Sequence, residues 1–250
     1  MHGRLTGKVL GVPIDVVDWD RAVKRIFEWG DRRESRYVCA CNVHSVVTAG
    51  RDAGFGLAVA QADMAIADGE PVAWILRKLG FAGQRRLSGP DLMWRCCAEA
   101  ERLGLPVYFY GSTHETLMLL VTRLRQHFKN LVISGCYSPP FRPLNAGEEQ
   151  AEAERINFSG AALVFVGLGC PKQEMWMSRQ RGQVNAVMIG VGAAFDYHAG
   201  TVERAPLWMQ RSGLEWFYRL VSEPGRLWKR YLVTNTIFVI AAVKQLYFRS

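Results

Sequence analysis

The chain has 250 residues, of which 49% are hydrophobic and 22% are charged, and its formal net charge is +8. This composition excludes a disordered chain and fits one large globular domain, or one domain with an appendage. No apolar run reaches the roughly 18 to 20 residues of a spanning helix, and the N-terminus does not resemble a signal peptide. The positive charge indicates an anionic partner such as nucleic acid, anionic lipid or a phosphorylated substrate.

Short β-rich runs alternate with longer helical patterns between residues 20 and 200. The predicted strands are residues 37–42, 64–68, 107–111, 131–135, 162–167 and 186–192. The predicted helices are residues 20–30, 71–80, 89–104, 113–128 and 150–157. Apolar strands that alternate with helices predict an α/β fold, with a Rossmann-like, mostly parallel sheet flanked by helices.

The alternation stops after Gly200, where a helical tail rich in aromatic and basic residues is predicted. From Thr201 onward the chain has eight Lys or Arg residues and three acidic ones. The sequence therefore predicts an α/β core over residues 1–200 and a membrane-engaging appendage over residues 201–250. A helix docked on the core, with its rings inward and its charges solvated, explains the same composition.

Three arginines of this tail, Arg219, Arg226 and Arg230, are separated by seven and then four residues. This spacing places them on one helical face, although Pro224 and Gly225 predict a kink or break between them. Arginine is suited to bidentate contacts with phosphate, so this face is a candidate diphosphate site.

Ligands of parallel sheets bind at the carboxyl ends of the strands. Asp68 ends the predicted strand 64–68 and is followed by Gly69. A carboxylate held there is partly desolvated, which raises its pKa and makes it usable as a general base. The alternative is that Asp68 caps the next helix.

Two other strand ends carry glycines. In "YGSTHE", Gly111 and Ser112 precede a helix whose free N–H groups can hold a phosphate, although Ser112 with Glu115 also fits a capping box. In "VGLGCPKQE", Gly167 and Gly169 let the backbone approach a ligand.

The side chains that follow in the second segment can contact a sugar or a base. Gln173 and Glu174 are the candidates for those hydrogen bonds, and an ordinary turn explains the segment equally well. The G-x-G does not extend to G-x-G-x-x-G, so dinucleotide binding by an oxidoreductase is disfavoured.

Metal binding has little support in the sequence. Asp18 and Asp20 form a D-x-D motif, but they precede an amphipathic helix and fit an N-cap better than a metal site. No cysteine or histidine spacing is typical of zinc. The six cysteines lie in apolar runs and are expected to be small buried side chains: Cys39, Cys41, Cys96, Cys97, Cys136 and Cys170.

Eight segments of the chain, in this order, carry a family resemblance. They are "GVPID", "CNVHSVVTA", "ADMAIADGEPVAW", "RRLSGPDLM", "VYFYGS", "VFVGLGCPKQEMW", "GVGAAFDYHAGTVERAPLWMQRSGLEWFYRL" and "EPGRLWKRY". Together they span nearly the whole chain, from Gly11 to Tyr231, and the last three are specific. With these segments the chain resembles the WecG/TagA/CpsF family of bacterial glycosyltransferases.

The resemblance implies an inverting transfer that needs neither a metal nor another cofactor. The donor would be a UDP-sugar, and the acceptor a sugar on a polyprenyl diphosphate in exopolysaccharide, teichoic acid or common-antigen synthesis. The enzyme would be cytoplasmic and peripherally attached to the inner face of the cell membrane. A homo-oligomer is left open, and nucleic acid is not an expected partner.

The resemblance also implies roles for individual residues. Asp68 matches the family's proposed general base. The acceptor or diphosphate side would be formed by Asn42, Arg86, Asp91, Arg219, Arg226, Lys229 and Arg230. The donor side would be formed by Gly111, Ser112, Gly167, Gly169, Lys172, Gln173 and Glu174.

The chain departs from the family pattern just before Asn42. Many members have Thr there, as in T-x-N, whereas this chain reads "CACN" with Ala40 at that position. A polar contact to the substrate is therefore missing or is supplied by another residue, which leaves the sugar specificity open.

Two other classes of protein fit the basic charge. A nucleic-acid-binding α/β protein would show basic residues along a groove and would need no acid at a strand end. A non-catalytic scaffold on the membrane surface would share the tail but turn over no UDP-sugar.

Overall fold

The computed structural model describes residues 4–247, apart from the side chains of Arg211, Arg226 and Arg230. Within that part of the chain the strands are β1 (Thr6–Val9), β2 (Val12–Asp15), β3 (Arg36–Cys41), β4 (Met64–Ala67), β5 (Val107–Gly111), β6 (Ile133–Tyr137), β7 (Leu163–Gly167) and β8 (Val187–Gly190). The helices are α1 (Trp19–Asp31), α2 (Val43–Ala49), α3 (Ala53–Ala60), α4 (Glu70–Lys78), α5 (Gly89–Leu103), α6 (His114–His127), α7 (Ala146–Phe158), α8 (Lys172–Gln180), α9 (Ala194–Ala199), α10 (Leu207–Arg211), α11 (Glu215–Ser222) and α12 (Pro224–Tyr247).

Strands β3 to β8 form one sheet in the order β4-β3-β8-β7-β5-β6. Four neighbouring pairs are parallel: β3 with β8, β8 with β7, β7 with β5, and β5 with β6. In their register Val107 pairs with Leu163, and Leu163 pairs with Val187. The carboxyl ends of these strands consequently lie along one edge. The predicted α/β fold with a parallel sheet flanked by helices is confirmed.

The chain divides into two compact units, and residues 19–39 with 89–202 form one of them. Strands β5 and β8 of this unit are buried along their whole length. The ring of Phe109 stacks on Phe165 with centroids 5.5 Å apart and meets the edge of Phe195 at 5.8 Å. Burial on both faces explains why these strands read as continuous apolar runs rather than as alternating patterns.

The other unit consists of residues 1–18, 40–88 and 203–250. Its strand β4 is fully buried, and a carboxylate connects β2 to it. Asp15, which is buried, accepts a hydrogen bond from the backbone N–H of Ala65 at 2.7 Å and forms an ion pair with Arg4 at 2.7 Å. The ion pair and the hydrogen bond therefore compensate the buried charge of Asp15.

Helices α10, α11 and α12 belong to this second unit. Helix α11 has no buried side chain, whereas α12 buries Leu227, Phe238 and Ala242 and packs on α2. The predicted break at Pro224 is present, because α11 ends at Ser222 and α12 begins at the proline. Among the described residues, none of these helices combines the length and the hydropathy needed to cross a bilayer.

Near its C-terminal end, α12 is attached to the turn between β1 and β2. The amide of Gln245 accepts a hydrogen bond from the Leu10 N–H at 2.8 Å and donates one to the Lys8 carbonyl at 2.5 Å. One glutamine thus satisfies the N–H of a turn residue and a backbone carbonyl of β1.

The structure corrects several sequence predictions. The hairpin of β1 and β2 was not predicted, and β6 begins two residues later than expected. The capping box at Ser112 is wrong: Thr113 is the N-cap of α6, and its side chain accepts from the Thr116 N–H at 3.1 Å. Burial of the cysteines holds for Cys39, Cys41, Cys96 and Cys97, whereas Cys136 and Cys170 are half-buried.

Candidate active site

Asp68 lies immediately after β4, where its backbone N–H donates to the carbonyl of Cys41 at 3.0 Å. The next residue, Gly69, has a φ of 108° and serves as the N-cap of α4. No side chain caps that helix, so the alternative role of Asp68 as a helix cap is wrong. The glycine conformation turns the chain sharply and leaves the carboxylate at the strand end.

The carboxyl of Asp68 has no hydrogen bond or ion pair among the described residues, although the residue retains partial solvent exposure. Burial of the carboxyl group raises its pKa to about 6. The guanidinium groups of Arg86, Arg204 and Arg219 oppose this effect, and the carboxylate of Glu215 adds to it. A carboxylate with this pKa is largely ionised at pH 7 and more basic than an exposed aspartate, as a general base requires.

Two of these arginines are bridged by Glu215. One carboxylate oxygen of Glu215 contacts the Nη2 of Arg86, and the other lies 3.5 Å from the Nε of Arg204. Arg86 also donates to the carbonyl of Gln210 at 3.0 Å, and Arg204 donates to the hydroxyl of Ser88 at 3.2 Å. The side chains of Arg86, Arg204 and Glu215 are 15 to 20% exposed, so all three are largely shielded from solvent.

The Nε of Arg86 is buried and has no hydrogen-bond partner in the described part of the chain. A buried, unpaired N–H of a guanidinium is costly unless a ligand or water accepts from it. This atom is therefore a candidate contact for an anionic oxygen.

Sequence reasoning did not find Arg204 or Glu215 as site residues. Both lie in the segment that carries the resemblance, but neither has a local signal such as a cap or a strand end. Their connection to Arg86 spans more than a hundred residues of chain, so no spacing pattern reveals it.

Of the other residues predicted for the acceptor side, Asn42 lies near Asp68 and Asp91 belongs to the other unit. Asn42 is the N-cap of α2, where its side chain accepts from the Ser45 N–H at 3.2 Å. It also lies beside the turn after β4, because a Cβ added to Gly69 would be 4.0 Å from the Asn42 Cβ. Asp91 lies in the first turn of α5, in the unit that does not contain Asp68.

Three basic residues of α12 complete the acceptor-side prediction. Lys229 is exposed, with its ammonium 5.4 Å from the ring centroid of Trp228. Arg226 and Arg230 lie in α12, but their side chains fall outside the described residues.

The glycines predicted for the donor side bring two strand ends together. Gly111 is paired with Gly167, and a Cβ on Gly111 would lie 2.6 Å from the Gly167 carbonyl carbon. Ser112 has a φ of 58° and donates its N–H to the Gly167 carbonyl at 3.1 Å. A Cβ on Gly169 would meet nothing within 4 Å, so that turn is open on its Cβ side.

Of the side chains that follow this turn, Gln173 and Glu174 are buried and Lys172 is exposed. Gln173 accepts a hydrogen bond from the Gly192 N–H at 3.1 Å and donates to Glu174 Oε1 at 2.9 Å. Both ends of its amide are thus engaged inside the protein, where they join α8 to the turn after β8. Burial raises the pKa of Glu174, whose Oε2 has no partner among the described residues.

No group of three or more His, Cys, Asp or Glu side chains between residues 4 and 247 has an arrangement that suits a metal ion. The charged groups around Asp68 are instead three guanidiniums and one carboxylate, all within one unit. Guanidiniums can bind phosphate oxygens and stabilise negative charge.

The family model described as "Glycosyl transferase WecG/TagA/CpsF family" matches residues 7–250, which is essentially the whole chain. The chain therefore belongs to the WecG/TagA/CpsF family of glycosyltransferases.

Proposed function

We propose that the chain transfers a sugar from a UDP-sugar to a saccharide carried on a polyprenyl diphosphate, with inversion and without a metal. Its family supports a role in cell-surface polysaccharide synthesis with a sugar donor and a lipid-linked acceptor. The observation that carries the proposal is the carboxyl of Asp68, unpaired and with its pKa raised to about 6, in a cluster with three arginines.

The proposed reaction is a single displacement. The carboxylate of Asp68 takes the proton of the acceptor hydroxyl as that oxygen forms a bond to the anomeric carbon. The bond from this carbon to the diphosphate oxygen breaks at the same time, and UDP leaves with the electron pair. Attack from the face opposite the leaving group inverts the anomeric configuration.

The arginines have a separate role in this proposal. Negative charge accumulates on the diphosphate as the bond to the sugar breaks, and fixed guanidiniums stabilise that charge. The buried Nε of Arg86 and the side chain of Arg219 are the proposed contacts, and they would replace a metal ion.

We assign residues 201–250 to attachment at the inner face of the cell membrane. Trp208, Phe217 and Trp228 are between 47 and 62% exposed, as are several aliphatic side chains of α12. Exposed rings beside basic residues are typical of helices that lie on a lipid surface.

The test is a panel of UDP-sugars with a short-chain prenyl-diphosphate saccharide, assayed with and without EDTA. We expect one donor to be used, EDTA to have no effect, and NMR of the product to show an inverted anomeric centre. Asp68→Asn and Asp68→Ala should reduce turnover by about a thousandfold or more, because a positioned base is lost. Asp31→Asn, which alters an exposed acid, is the matched control.

Near-normal turnover by Asp68→Asn would refute the role of this residue as the base. Turnover of no UDP-sugar by the unaltered chain would refute the proposed donor, and inhibition by EDTA would refute the metal-independent mechanism.

A further inference from the structure

Helix α11 is attached to its unit in an unusual way for a helix that carries a proposed site residue. It contains Arg219 but has no buried side chain. Its side-chain contacts include those of Glu215 with two arginines, of Tyr218 with Glu203 at 3.3 Å, and of Trp216 with the ring of Tyr231. Apolar burial, the usual means of fixing a surface helix, is therefore largely missing here.

Glu215 is the most enclosed of these attachments. Its side chain is 20% exposed, and its two oxygens face different guanidiniums, those of Arg86 and Arg204. The two arginines are held in turn by the Gln210 carbonyl and the Ser88 hydroxyl. The carboxylate thereby ties the start of α11 to the segment of Arg86, which is distant in sequence, and to Arg204, which shortly precedes the helix.

The start of α11 also lies close to the proposed base. Gly213, two residues before Glu215, has a φ of 73°, and a Cβ there would be 3.1 Å from the Cβ of Glu70. Glu70 is two residues after Asp68. Arg219 follows Glu215 by one helical turn, so both residues lie on the same face of α11.

We propose that Glu215 is a positioning residue, which bridges Arg86 and Arg204 and so fixes α11 and its Arg219 beside Asp68. This inference rests on the proposed function. Glu215 itself touches no substrate in this account. It holds the guanidinium groups in position before the donor binds, so these groups reorganise less when the transition state forms.

The experiment compares Glu215→Gln with Glu203→Gln in the full-length chain. The first substitution keeps the size of the side chain but cannot neutralise two enclosed guanidiniums, and an ion pair broken on one side leaves the remaining charge uncompensated. The control removes an equal charge from an exposed residue of the same unit, and its amide oxygen can still accept from Tyr218.

The first measurement is backbone hydrogen exchange over residues 215–222, which needs no substrate. We expect exchange in Glu215→Gln to be at least about tenfold faster than in the unaltered chain, with Glu203→Gln unchanged. Unchanged exchange in Glu215→Gln would overturn the inference. If that variant does not fold, Glu215→Asp, which keeps the charge on a shorter side chain, should accelerate exchange in the same helix, and exchange as in the unaltered chain would overturn the inference.

The second measurement is steady-state kinetics with the donor found in the panel. Because the arginines are proposed to act mainly on the departing diphosphate, kcat should fall by about tenfold or more while the KM for the donor changes less than about threefold. Faster exchange with an unchanged kcat would show that Glu215 is structural only and would overturn its positioning role. If the unaltered chain is inactive with every donor, the proposed function fails, and hydrogen exchange still decides whether Glu215 anchors α11.

Discussion

The carboxyl of Asp68 is subject to opposing electrostatic effects. Burial and the nearby carboxylate of Glu215 favour its neutral form, while Arg86, Arg204 and Arg219 favour the charged form. Burial has the larger effect, so the pKa of Asp68 rises to about 6 instead of falling as it would in a direct ion pair. The result is a group that changes protonation near neutral pH without leaving its place at the strand end.

The first prediction is a pH dependence of the transfer. The base must be ionised, so kcat/KM should rise about tenfold per pH unit below pH 6 and level off above it. The measurement is kcat/KM from about pH 4.5 to about pH 8 with saturating acceptor. Arg86→Gln should move the acid limb to higher pH, because Arg86 contributes the largest opposing effect on the pKa of Asp68. A limb that stays at the same pH in this variant would contradict the assignment.

The second prediction is that Asp68→Asn stabilises the folded chain although it lowers the activity. The pKa of Asp68 is higher in the folded chain than the usual 3.8, so folding loses stability as the pH rises from about 4 to about 6. Asp68→Asn removes this penalty. It should raise the free energy of unfolding at pH 8 by an amount on the order of 1 kcal/mol, after allowance for partial exposure. The measurement is the midpoint of thermal unfolding, which should rise accordingly.

The control for this stability measurement is the same variant at about pH 3, below the usual pKa of 3.8. There the group is mostly neutral in the folded and the unfolded chain, and the gain should vanish. Destabilisation by Asp68→Asn at pH 8 would contradict the raised pKa. An inactive variant that is more stable at pH 8 would show that activity is lost through chemistry and not through unfolding.

At the scale of elements, the sequence predicts best where one physical signal dominates. Five strands of the sheet are largely buried apolar runs, whereas β6 is half-buried along its length. All six were predicted, five of them within about a residue at their start. Strands β1 and β2 were missed because Lys8 and Pro13 interrupt the apolar pattern of this hairpin. The N-cap of α6 was placed one residue early, since Ser112 and Thr113 are both good capping residues.

The candidate site shows a similar limit. Asp68 is predictable because a strand end is a local feature and the rule for parallel sheets is general. The bridge from Glu215 to Arg86 depends on how two segments more than a hundred residues apart fold together. Gln173 fits a ligand contact from sequence, yet in the structure its amide is engaged by Gly192 and Glu174.

The third prediction concerns the junction of β5 and β7. Gly111→Ala would set a Cβ 2.6 Å from the backbone of Gly167 at a φ of 119°, which no flexible side chain can relieve. We expect the free energy of unfolding to fall by about 3 kcal/mol or more. Gly104→Ala is the matched control, because its φ of 67° is also positive but its Cβ would meet nothing within 4 Å.

Urea unfolding followed by circular dichroism measures both variants. The loss in Gly104→Ala should be about 1 kcal/mol, the ordinary cost of a left-handed alanine. Equal losses in the two variants would mean that conformation alone, and not the close approach of two strands, requires glycine at position 111.

For the molecule as a whole, the fourth prediction is binding to lipid vesicles. The net charge of +8 attracts anionic headgroups, and exposed rings of α10 and α12 are available to insert. The chain should co-sediment with vesicles that contain phosphatidylglycerol, and about 0.5 M salt should weaken binding by screening the charges. The double variant Trp208→Ser, Trp228→Ser should bind about tenfold more weakly.

Phe158→Ser is the control for vesicle binding, since this ring is 95% exposed but lies in α7, in the other unit. It should bind as the unaltered chain does. An equal loss in the control would mean that exposed rings act without regard to position, and the assignment of residues 201–250 to the membrane would be wrong.

The hydrogen bonds of Gln245 to the turn at Leu10 have a consequence for biosynthesis. The unit that contains Asp68 combines residues near the start of the sequence with residues that the ribosome adds more than two hundred positions later. During translation, the first strands of that unit are made long before residues 203–250, with which they pack. The unit of residues 19–39 and 89–202 has its full sequence sooner. The proposed base is therefore assembled late, so a chain interrupted during synthesis would be without a completed catalytic unit.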